Sequence, residues 1–177
     1  IFFILGFSTV FVALGASAFF PIEQIEQTLK IGYIGALYVD YHLSTSFGSL
    51  GIGGYCGYTG LLPEQPEMAA YFRSLLPVGV QLQLASQEGA PLGLFLRILG
   101  GAAVNISPQE KVKGRLTRVL PQLKAGAGLT VAFSRRMGMA IEFLYEMLVY
   151  LYTSGSGIAS DTIMGFDIPS VYFYTRW

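Results

Sequence analysis

The chain has 177 residues, enough for one domain, and eleven basic residues cancel eleven acidic ones, so no field draws it to nucleic acid. Only 12% of residues are charged while 53% are hydrophobic, and ordinary soluble domains carry roughly twice that charge. The single cysteine, Cys56, excludes an intramolecular disulfide and a cysteine-based metal site.

A surface so poor in charge suits lipid better than water. Lipid admits helices or a closed barrel, because backbone N–H and C=O groups there must be satisfied within the protein. Residues 1–22 form one uncharged run long enough for a helix. The other, 43–63, contains six glycines, which oppose helix formation. A helical bundle is therefore disfavoured.

The first segment reads as the apolar part of a secretory signal, closing on the cleavage pattern Ala16-Ser17-Ala18. Its alternative is a strand or anchor that stays in the protein. The expected division is a signal-like segment (or first strand) at 1–18 and a barrel at 19–177.

From Leu29 onward the hydrophobic period is two. In 29–43, Leu29, Ile31, Tyr33, Leu37, Val39 and Tyr41 alternate with Lys30, Ile34, Tyr38, Asp40 and His42. In 50–62, Leu50, Ile52, Cys56, Tyr58 and Leu62 oppose a mostly glycine face. Stretch 70–85 sets Leu76, Val78, Val80, Leu82 and Leu84 against Arg73, Gln81 and Gln83. Stretch 91–106 sets Leu92, Leu94, Leu96 and Ile98 against Phe95, Arg97 and Asn105. In 118–134, Val119, Leu123, Leu129 and Val131 oppose Arg118, Gln122 and Lys124. In 139–152, Ile141, Phe143, Tyr145 and Met147 oppose Glu142 and Glu146.

Every charge in these stretches falls on the second set. A charge facing lipid at mid-depth costs roughly 2–4 kcal/mol for Arg or Lys, so a transmembrane barrel keeps its charges inside. A soluble secreted barrel around a hydrophobic ligand would segregate them too, but its outer face would be too poor in charge for solubility. The predicted fold is all-β, a transmembrane antiparallel up-and-down barrel of eight strands. Short turns are expected near 42–48, 86–90 and 135–138, with longer connections at 63–69, 107–117 and 153–162. A last strand at 169–177 makes seven, so an eighth must lie either in 7–20 or within 153–177.

With its Ala16-Ser17-Ala18 pattern, dyad strands and the ending "VYFYTRW", the sequence resembles the small outer-membrane β-barrel proteins of diderm bacteria, the OmpW-like and related eight-stranded group. That resemblance implies a bacterial outer-membrane location in contact with membrane lipid. It also implies recognition of the last strand, here Phe173 and Trp177, by the barrel-assembly machinery.

Asp40, His42 and Ser44 share one strand face and superficially resemble the His-x-Ser of barrel-type lipid A deacylases. Against that, no oxyanion donor is identifiable, and a lumen histidine beside Asp40 accounts for the pattern. Glu142 and Glu146 lie four residues apart, about 13 Å along a strand, too far for the roughly 5–9.5 Å of glycoside hydrolysis. A lumen charge network is expected from Lys30, Asp40, His42, Arg73, Arg97, Arg118, Lys124, Glu142 and Glu146, with small inward glycines making room for the long basic side chains. No catalytic residue, metal or cofactor is expected. The expected role is structural, surface-interacting or a narrow path for small molecules, in a monomer. Extracellular ligands would meet loops 63–69, 107–117 and 153–162, where Glu64 and Glu67 oppose Lys111, Lys113 and Arg115 in charge.

Overall fold

The period-two stretches each become a strand, since alternating residues must face opposite sides of a pleated sheet. In the computed structural model, which describes residues 4–22, 29–63, 74–86, 91–106, 118–154 and 157–177, there are eight. They are β1 (Ile4–Pro21), β2 (Leu29–Thr45), β3 (Gly48–Pro63), β4 (Ser74–Ala85), β5 (Leu92–Asn105), β6 (Val119–Ala132), β7 (Met137–Ser154) and β8 (Gly157–Arg176). Each pairs antiparallel with the next, and β1 with β8, closing the barrel. Closure leaves no sheet edge unpaired, as lipid requires.

The missing eighth strand is the N-terminal one. Residues 4–21, including Ala16-Ser17-Ala18, form β1 between β2 and β8. A correction concerns the C-terminal third. The connection expected at 153–162 is instead strand, with β7 running to Ser154 and β8 starting at Gly157, its register partner.

At the opposite end the chain turns tightly. Thr45 pairs with Gly48 across Ser46 and Phe47, and the Thr45 hydroxyl donates to the Gly48 carbonyl at 3.1 Å. Gly48 has φ +146°, and a Cβ there would run into the Ala85 carbonyl, so the turn needs glycine.

One strand shows how the faces sort. On β5, Leu94, Leu96 and Ile98 are 65%, 60% and 56% exposed, whereas Phe95, Arg97 and Leu99 are at most 6% exposed. The barrel has an apolar outside and a filled inside. In the strand halves nearer the long connections the filling is mixed: Phe19, Leu61, Leu75, Leu99, Leu120 and Ile163 are all fully buried, beside buried Thr59, Asn105, Gln122 and Lys124. In the other half it is polar and aromatic.

Strand β8 breaks its own alternation. Glu142 of β7 pairs with Ser170, but Leu144 pairs with Asp167, so three steps of β8 oppose two of β7. The extra residue lies in Ile168-Pro169, and proline, with no N–H to give, suits such a β-bulge. Its consequence is that Asp167 and Tyr172, of opposite parity, both face inward.

Candidate functional site

The lumen holds the chemistry, and glycines shape it. Gly53 of β3 is the register partner of both Asp40 on β2 and Gln81 on β4. A Cβ on Gly53 would collide with the Asp40 carboxylate. Without it, Asp40 reaches over β3 and accepts a hydrogen bond from the Gln81 amide. Gly51 makes similar room, since a Cβ there would lie 2.8 Å from His42 Nε2. The glycine-rich face therefore accommodates an aspartate and a histidine here, and elsewhere aromatic rings: Gly128 sits against Phe95 and Gly165 against Phe19. The expectation that these glycines clear space for long basic side chains is corrected accordingly.

Two buried cation-centred networks follow. Arg97 Nη1 donates to Glu142 Oε2 at 2.9 Å, while Nε and Nη2 share Gln83 Oε1 at 3.1 and 2.7 Å. The guanidinium also lies 4.7 Å from the Tyr38 ring centroid, 5.0 Å from Phe95 and 5.6 Å from Tyr172. Planar delocalised charge suits aromatic faces and a carboxylate together. In the second network Lys124 Nζ sits 2.9 Å from both Glu146 Oε2 and Asp167 Oδ2. Gln122 donates to Glu146 Oε1 and accepts from the Tyr55 hydroxyl at 2.8 Å. The Tyr38 and Tyr172 hydroxyls meet at 3.2 Å between the networks.

Of the expected network, Asp40, His42, Arg97, Lys124, Glu142 and Glu146 are buried on the inner face. Arg118 is not among them: it is exposed just before β6, apart from both networks. Arg73, with loop residues 64–69 and 107–117, lies outside the described residues, and so does the side chain of Lys30. Phe173 is 63% and Trp177 74% exposed on the outer face.

Sequence reasoning missed Asp167, because it precedes the expected last strand at 169–177 and because the bulge at Ile168-Pro169 puts it on the opposite parity from Tyr172. It also left Gln81, Gln83 and Gln122 out of the network, although they share the charged parity. Asp40 and His42 both lie in the lumen, as the reading of a lumen histidine beside Asp40 places them. Asp40 accepts from Gln81, and His42 Nδ1 meets Ser49 Oγ at 3.2 Å beneath the Phe11 ring, 4.1 Å away.

A closed eight-stranded antiparallel barrel, charged within and apolar without, defines the class of small transmembrane barrels. No protein family and no curated protein matches the chain in sequence. Among solved structures, neisserial surface protein A is similar with a TM-score of 0.50 at 10% identity, covering 96% of each chain. The outer membrane protein OprG from Pseudomonas aeruginosa is similar with a TM-score of 0.50 at 12% identity, covering 96% of this chain and 95% of that one. The fold is that of the small bacterial outer-membrane barrels.

Proposed function

We propose that this protein spans the bacterial outer membrane as a closed structural barrel. Its short turns face the periplasm, and its long connections offer a surface to extracellular partners. The observation that carries this is the filled lumen: Arg97 and Lys124, each ion-paired and enclosed, stand in an interior packed with buried polar, aromatic and aliphatic side chains. Eight strands enclose just enough space for side chains, and these side chains occupy it. The charges hold the wall together from inside rather than line a water path, and the reading includes no catalytic role.

Planar-bilayer recording of the purified, refolded protein tests it. Heat-modifiable migration first establishes that the barrel is folded. We expect no steady conductance; a stable conducting state in the folded protein would replace the closed barrel with a narrow pore.

A further inference from the structure

At the short-turn end, the β6–β7 connection is tightly built. Phe133 and Ser134 donate their backbone N–H groups to the Met137 carbonyl at 2.9 and 3.1 Å. The Ser134 hydroxyl accepts from the N–H groups of Arg136 and Met137 at 3.2 and 3.0 Å. The two residues at the tip, Arg135 and Arg136, are thereby held outward and exposed. β8 brings a third arginine alongside, because the Arg176 N–H donates to the Arg136 carbonyl at 2.8 Å and its Nε to the Arg135 carbonyl. Among the described residues no carboxylate pairs with any of the three. Exposed Phe133 and Met137 flank them on the turn, and Trp177, whose backbone pairs with Val10 of β1, stands beside them.

We propose that Arg135, Arg136 and Arg176 form a binding site for the phosphate group of an anionic phospholipid at the short-turn rim of the barrel. Charge and continuity favour that occupant. Guanidinium groups match phosphate oxygens in geometry and charge. The patch is continuous with the apolar exterior through Phe133, Met137 and Trp177, so a lipid tail on the barrel wall places its headgroup at the arginines. A basic group close to a membrane surface favours anionic over zwitterionic lipid. The inference rests on the membrane-spanning reading, while the closed lumen plays no part in it.

Trp177 is the only tryptophan in the chain and supplies the readout. The refolded barrel is placed in phosphatidylcholine vesicles carrying a minor fraction of brominated phosphatidylglycerol or brominated phosphatidylcholine, and quenching of Trp177 is measured. The expected relative binding constant favours the glycerol lipid by on the order of tenfold. In R135Q/R136Q the preference falls to near unity with heat-modifiable migration unchanged, and R135K/R136K restores much of it. Equal quenching by both lipids in the unaltered barrel overturns the site alone, as does a preference that survives R135Q/R136Q. A chain that never inserts overturns the membrane reading and the site together.

Discussion

At the residue scale, the lumen is governed by what it costs to leave a charge alone. Arg97 is enclosed, and its partners Glu142 and Gln83 are as deeply buried. Removing one member of such a pair leaves the other charge uncompensated, a loss of about 3–5 kcal/mol, whereas replacing both with apolar residues of similar size is often neutral. Arg97→Met alone is therefore expected to lower stability strongly, and adding Glu142→Met to recover much of the loss. Urea unfolding of the four proteins of this cycle in lipid vesicles, followed by circular dichroism, measures the coupling; additive losses would contradict it. Gly53 offers a second check. Gly53→Val puts two methyl groups where Asp40 crosses to Gln81, and overpacking of this kind costs about 1–3 kcal/mol. The same unfolding assay is expected to show a lowered midpoint for this variant.

At the element scale, the strands β2 to β7 were legible because burial on one face and lipid on the other imposes a strict period of two. Asp40, His42, Arg97, Lys124, Glu142 and Glu146 could be placed inside from parity alone. Parity fails where the strand itself slips. Asp167 and Tyr172 cannot share a face in a regular strand, yet both are buried, because Ile168-Pro169 inserts one extra residue. Partners that depend on side chains meeting across an intervening strand, such as Asp40 and Gln81 over Gly53, were equally out of reach of any one-dimensional pattern. The bulge makes an unusual prediction. In a regular strand, deleting one residue turns everything beyond it to the other face. Here, deleting Pro169 should restore equal spacing between Leu144/Asp167 and Glu142/Ser170, keep Asp167 beside Lys124 and leave a folded barrel. Deleting Ile168 and Pro169 together should force either Asp167 or the Tyr172 side of β8 outward and prevent folding. Heat-modifiable migration distinguishes the two, and equal failure of both deletions would count against a simple one-residue insertion.

At the scale of the whole molecule, a barrel can be read inside out, and the parity of the charges alone does not choose between the two readings. A soluble barrel with an apolar core and a transmembrane barrel with an apolar exterior both segregate charge onto one parity. The structure separates them by curvature: the charged parity is the concave one, and Val80, Leu94 and Leu96 stand on the convex side at 60% exposure or more. Val80 lies midway along β4, between Leu76 and Leu84 on the same outer face. Introducing a cation there sets the two readings against each other. In water, Val80→Arg would be neutral or would improve solubility, since it adds charge to an exposed site. In a bilayer, the same change near mid-depth costs about 2–4 kcal/mol, falling toward zero near the interfaces. The expected result is that V80R folds in detergent micelles, where the head group can reach water, yet is destabilised in vesicles by that amount relative to the unaltered barrel. Val119→Arg, one residue from the exposed Arg118 at the start of β6, should cost much less. A graded loss across these two positions would map the depth of the apolar belt directly, and equal stability of both variants in vesicles would remove the lipid from the exterior.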